Sequence, residues 1–200
     1  FGMGTLGTLG THAKALGFKR PLIVTDKVMA QSDGMRQMRA VLAEAGLEAA
    51  VWDNIAAEPM DTTLTEGVQR YRAERCDGLI GFGGGSAMDT AKGIAIVLRE
   101  GGSLRDYEGF QVLKRPQTPH VAIPTTAGTG SEVTYVAVIK DHEAHQKLLF
   151  GDYNIIPGML TEGMKAFFED KPEHRAHSLA NIPMGRFGDP EKDAGSLAVF

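Results

Sequence analysis

Gly78-Leu79-Ile80-Gly81-Phe82, then Gly83-Gly84-Gly85-Ser86, then Ala87-Met88-Asp89-Thr90-Ala91-Lys92, is the stretch on which the reading of this chain turns. The first five residues read as a short apolar strand, and Ser86 to Leu98 carries a helical pattern. Three glycines lie between them, where free backbone N–H groups and the helix dipole favour an anion. Without Cβ atoms the backbone of Gly84 and Gly85 lets a diphosphate approach closely, and Ser86 can cap the helix or bind a phosphate oxygen. Asp89 and Lys92 follow one turn later. A plain strand-to-helix turn accounts for the same residues, because such connections are commonly short.

The same alternation extends in both directions. Pro21 to Thr25 is a strand signal ending in Asp26; Met35, Met38, Val41, Leu42 and Ala45 then share one helical face, with Gly46 at the stop. Glu48 to Trp52 reads as a second strand, and Asp61-Thr62-Thr63 as an N-cap before Leu64, Val68 and Tyr71. His120 to Pro124 is a fourth strand. Strands alternating with helices predict an α/β chain: a Rossmann-like parallel sheet with helices on both faces. Tyr135 to Ile139 and Leu148 to Phe150 read as a hairpin around a charged tip. Beyond about Tyr153 strand signals become scarce, and Lys165 to Asp193 is rich in charge, Pro and Gly. The expected division is a dinucleotide-binding domain over 1–155 and a short, mainly helical or irregular tail over 156–200.

Two further features support a nucleotide. Pro124-Thr125-Thr126-Ala127-Gly128-Thr129-Gly130-Ser131-Glu132 sets hydroxyls and glycines directly after a strand, where open α/β sheets bind ligands. Asp26, at the end of the first strand, can accept hydrogen bonds from ribose hydroxyls and repel a 2′-phosphate; a turn or helix-cap carboxylate is the equal alternative. A literal G-x-G-x-x-G at Gly2 to Gly7 has no strand before it and reads as an ordinary turn.

Composition excludes other classes. The chain has 200 residues, 42% of them hydrophobic, with 21 Lys+Arg against 25 Asp+Glu, so it is too apolar for a disordered chain, and its net charge of −4 argues against a nucleic-acid binder. The one cysteine, Cys76, excludes a disulfide scaffold and a thiolate zinc site, and suits a reducing, cytoplasmic setting. No apolar run reaches membrane-spanning length and no signal peptide opens the chain. A start at Phe1 rather than Met suggests that the true beginning is missing.

Leu22-Ile23-Val24-Thr25-Asp26-Lys27, Gly83 to Lys92 and Ile123 to Glu132 together resemble, from about residue 1 to 157, the nucleotide-binding domain of the iron-containing (group III) alcohol dehydrogenases. The resemblance implies an NAD-dependent oxidoreductase of alcohols and aldehydes. It implies that Gly85 and Ser86 hold the pyrophosphate, and that Thr125, Thr126, Ser131 and Thr134 line the dinucleotide cleft. Lys147, after the hairpin, would reach the ribose, and Asp26 would select NAD over NADP. Glu58-Pro59-Met60 stands where many members carry Pro-Asn-Pro, a departure that leaves an adenosine contact there open. The family's divalent metal, iron or zinc, is held in a following helical domain by an Asp-x-x-x-His pair and two further His. That pattern does not follow Pro157 here; residues 157–200 are instead similar to the C-terminal end of short-chain dehydrogenases, without their Tyr-x-x-x-Lys.

Two Asp-x-x-x-His spacings occur, Asp141 with His145 and Asp170 with His174. The first reads as a hairpin tip, and Pro172 interrupts the second, so no metal site is expected even with His177 nearby. The leading expectation is an enzyme that binds NAD and a small alcohol or aldehyde substrate but lacks its metal domain. A dinucleotide-binding module without chemistry is one alternative. An interaction protein is the other, since exposed Met159, Met164, Phe167, Phe168 and Phe200 would favour a partner or a homo-oligomer.

Overall fold

The computed structural model describes residues 5–157. Seven strands and four α-helices follow in chain order: α1 (Leu9–Ala15), β1 (Pro21–Val24), α2 (Asp33–Glu44), β2 (Ala50–Trp52), α3 (Asp61–Ala73), β3 (Gly78–Gly83), α4 (Gly85–Glu100), β4 (Gly109–Phe110), β5 (His120–Pro124), β6 (Val136–Lys140) and β7 (Lys147–Gly151). The expected parallel sheet is present, with order β2-β1-β3-β5.

Near-continuous apolar runs form these strands because both sheet faces are covered. Leu22 pairs with Leu79 and Ile23 with Ile80, and the alternation sends the two pairs to opposite faces. On one face Ile23, Ile80, Phe82, Val121 and Ile123 pack with Leu9 of α1 and with Met35, Met38 and Leu42 of α2. On the other, Leu22, Val24 and Leu79 pack with Leu64 and Val68 of α3 and Ile94 and Ala95 of α4. Cys76 belongs to this second core.

The chain leaves β1 for β2 on one side and later returns to place β3 on the other. The crevice beyond the carboxyl ends of β1 and β3 is therefore a topological switch point, the usual ligand position in such sheets. Asp26, Gly84 and Thr125 follow the ends of β1, β3 and β5 within two residues, so three loops converge there.

The hairpin forms as β6 and β7, paired antiparallel with Lys140 opposite Lys147. It belongs to a three-stranded sheet of order β4-β7-β6, and Ala137, Ile139, Leu148 and Phe150 seat that sheet on the α3/α4 core. Two-residue β4 gives no periodic signal in sequence, nor does the short α1. Lys147 is the first residue of β7, within the hairpin rather than after it. The expected side-chain cap at Asp61–Thr63 is absent: α3 begins at Asp61 after Met60, and the Asp61 carboxylate turns to His142. Among the described residues no helix is long and apolar enough to cross a membrane. Gly2 to Gly4 and the tail beyond Pro157 lie outside the described residues.

Candidate functional site

Gly83 has φ of 150°, a conformation that disfavours any side chain, and a Cβ there would lie 2.9 Å from Ala87 Cβ. Gly84 is the N-cap residue of α4 and supplies no side-chain cap. Ser86 is not the cap residue, and in this structure its Oγ donates to the carbonyl of Ala57 at 2.7 Å. Ala87 N–H donates to the Gly84 carbonyl at 3.1 Å, whereas the N–H groups of Gly85 and Ser86, at the very start of α4, have no intrahelical acceptors and carry the positive end of the helix dipole.

The loop after β5 lies directly over these glycines. A Cβ on Gly84 would sit 3.3 Å from Thr126 Oγ1, and one on Gly85 would sit 3.2 Å from Thr129 Cγ2. Both glycines thus serve the packing of the loop as well as any ligand. Gly130, at φ of 64°, turns the loop into a 3-10 segment at Ser131–Val133.

Two cavities meet at this point. One, of about 650 Å³, is lined by Asp26, Met29, Asn54, Gly84, Thr125 and Thr126 among others. The second, of about 440 Å³, is lined by Glu58, Gly85, Thr129, Ser131, Lys140 and Lys147 among others. Ala57 and Ser86 line both, so their hydrogen bond stands between two lobes of one cleft.

Asp26 carries out the turn role and remains available to the cleft. Its Oδ1 accepts from the N–H groups of Val28 and Met29, both at 2.8 Å. Its Oδ2 lies 4.0 Å from where a Gly83 Cβ would stand. Lys147 is exposed, with Nζ 3.6 Å from Glu58 Oε1, while Lys140 Nζ lies 3.0 Å from Glu58 Oε2. The lysines hold the Glu58 carboxyl below its usual range, Lys140 most strongly through its hydrogen bond.

Asp89, Ser131 and Thr134 are brought to the same region but are spent largely on one another's segment. Ser131 Oγ donates to Asp89 Oδ1 at 2.5 Å, and Asp89 Oδ2 accepts from Val138 N–H at 3.1 Å. Lys92 donates to the carbonyls of Ser131, Thr134 and Val136. Sequence reading gave neither Lys92 nor the Glu58–Lys140 pair a role. A lysine on a helix face otherwise destined for the core was the available signal, since a buried ammonium needs several acceptors.

The Asp141–His145 spacing falls at the hairpin tip as expected. Among the described residues, Asp61, Asp141 and His142 bring possible ligand atoms within 4.8 Å of one another. Asp141 is fully buried, with Oδ2 on Arg105 Nε at 2.8 Å and Oδ1 on the N–H groups of Glu143 and Ala144. A divalent cation would have to displace a guanidinium already in place, so this donor set does not fit one. Asp170, His174 and His177 lie outside the described residues.

The family model described as iron-containing alcohol dehydrogenase matches residues 1–160. An NAD-dependent methanol dehydrogenase of Bacillus methanolicus is 41% identical over 156 residues, covering 78% of this chain and 41% of that protein. A choline dehydrogenase of Bacillus subtilis is 39% identical over 211 residues, covering 100% of this chain, tail included, and 52% of that protein. The crystal structure of a 1,3-propanediol oxidoreductase superposes with a TM-score of 0.77 at 36% identity, covering 78% of this chain and 41% of that one. The chain thus spans from two fifths to about half the length of these relatives.

Proposed function

We propose, from the premise that the chain belongs to the iron-containing alcohol dehydrogenase family, that it supplies the NAD-binding part of an oxidoreductase passing hydride between the nicotinamide and a small alcohol or aldehyde. The observation that carries this reading is the two-lobed cleft at the switch point, floored by the start of α4 and roofed by the threonine loop. A site without Cβ atoms at Gly84 and Gly85 suits a diphosphate, whose oxygens would accept from first-turn N–H groups. Asp26 would hold the adenosine ribose through its free oxygen and keep out a 2′-phosphate. The Lys147 ammonium, at the second lobe, would reach the nicotinamide ribose. Thr125, Thr126 and Thr129 present hydroxyls along the cleft, and Ser131, Thr134 and Asp89 act mainly by shaping the loop.

NAD supplies the hydride chemistry when bound. These residues bind and orient it. The Asp61–Asp141–His142 donor set, with Asp141 already bound by Arg105, does not fit a divalent metal. We place the boundary of the cofactor domain at residues 155–156, where strand signals in the sequence become scarce.

Titration of the chain with NADH, followed by nicotinamide fluorescence, tests the reading. Saturable binding that is lost in Gly84→Val is the expected result. Wild-type protein that leaves the NADH signal unchanged would overturn it.

A further inference from the structure

We propose that Lys92 is a positioning residue whose ammonium sets the shape of the loop covering the α4 glycines, a proposal that rests on the cofactor reading above. Lys92 lies in the middle of α4 and is 1% exposed, so it touches no cleft surface. Its Nζ stands 2.6 Å from the Ser131 carbonyl, 3.1 Å from Ser131 Oγ, 3.0 Å from the Thr134 carbonyl and 2.8 Å from the Val136 carbonyl. All four acceptors belong to the exit of the threonine loop and the start of β6. One turn earlier on the same helix, the Asp89 carboxylate accepts hydrogen bonds from the Ser131 hydroxyl and the Val138 N–H.

The helix whose first turn offers N–H groups to an anion therefore grips, three residues apart, the end of the loop that roofs that turn. An ammonium has three N–H donors for these acceptors, and its charge strengthens each bond. A neutral amine has two donors and no charge. The carboxylates of Asp89, on α4, and Glu132, on the 3-10 segment, favour the ammonium, while burial opposes it and prevails, bringing Lys92 down to about 8. His120, on β5, also senses the Lys92 charge, which together with burial keeps its ring neutral. Deprotonation above that pH takes away the charge-assisted hold on Ser131, Thr134 and Val136.

Global stability responds with the opposite sign. The unfolded chain keeps this lysine protonated to about pH 10.4, so between the two values the unfolded state binds the extra proton and the Lys92 contribution to stability rises with pH. A lysine that merely held the fold together would move stability and cofactor affinity in the same direction.

The test uses the full chain. NADH affinity is measured from about pH 7 to about pH 9.5 for wild type and Lys92→Arg, and wild-type affinity is expected to fall about fivefold while the permanently charged arginine stays level. Asp89→Asn, which removes a carboxylate supporting the ammonium, should move the midpoint to lower pH. Arginine is larger, so a ligand-free measurement accompanies these: the amide resonances of Ser131, Thr134 and Val138 should titrate together, with a midpoint near that of Lys92. Resonances that stay flat to the top of the range would overturn the proposal. So would resonances that titrate while wild-type NADH affinity does not change. Failure of wild type to bind NADH at neutral pH would instead count against the cofactor reading, with the loop titration still deciding whether Lys92 controls the loop.

Discussion

Ser86 Oγ and the carbonyl oxygen of Ala57 are 2.7 Å apart although 29 residues separate them in the chain. Their hydrogen bond ties the first turn of α4 to the segment between β2 and α3, and so fixes the distance across the waist of the cleft. Ser86→Ala should release that tie at a cost of about 0.5–1.5 kcal/mol, the net worth of one such bond. Calorimetric NADH titration should then show weakening of about two- to tenfold. An unchanged Kd would mean that the waist is held by packing alone.

Gly84 is constrained from above by Thr126. A valine Cβ would meet Thr126 Oγ1 at 3.3 Å, and on the proposed cofactor reading the added bulk would hold a diphosphate away from the backbone. Gly84→Val should reduce NADH affinity by more than about tenfold while lowering thermal stability only modestly. Gly83→Val should behave differently, since its φ of 150° and the nearby Ala87 Cβ strain the backbone itself. Its main effect is expected in the melting temperature.

Asp26 carries two duties that one substitution can separate. Asp26→Gly removes the acceptor of the Val28 and Met29 N–H groups, which should cost about 0.5–2 kcal/mol of stability. It also removes the charge facing a 2′-phosphate, and the preference for NAD over NADP should narrow by about 1–3 kcal/mol. Comparison of the two Kd values before and after substitution checks this. Lost stability with an unaltered coenzyme ratio would leave Asp26 as a cap alone.

His120 predicts an acid-sensitive fold. Its ring lies buried between the carbonyls of Thr118 and Ile155, at 3.2 and 3.1 Å, and burial followed by the Lys92 charge brings it down to about 4. The unfolded chain would protonate the ring at about 6.5, so between these values only the unfolded state holds the proton. Stability is therefore present in full above about pH 6.5 and falls toward pH 4, by up to about 3 kcal/mol from this residue. Urea denaturation at several pH values should show that slope in wild type and a flatter one in His120→Gln.

By itself the sequence determined the α/β class, the strand and helix alternation and the three loops at the cleft. Each rests on local pattern: apolar runs for strands buried on both faces, a 3.6-residue period for α2, and glycines where β3 meets α4. The hairpin was legible for the same reason, as two apolar runs flanking a charged tip. Tertiary structure alone decided what the polar side chains do. Ser86 looks like a cap in sequence, yet it bonds to Ala57 because the β2–α3 segment lies beside α4. Lys92 looks like one more helix residue, yet it is buried because the second sheet packs against α4 and brings the Ser131, Thr134 and Val136 carbonyls to its amine. Hydrogen bonds between residues about 30 to 40 positions apart leave no periodic trace, and their partners are chosen by how the layers close.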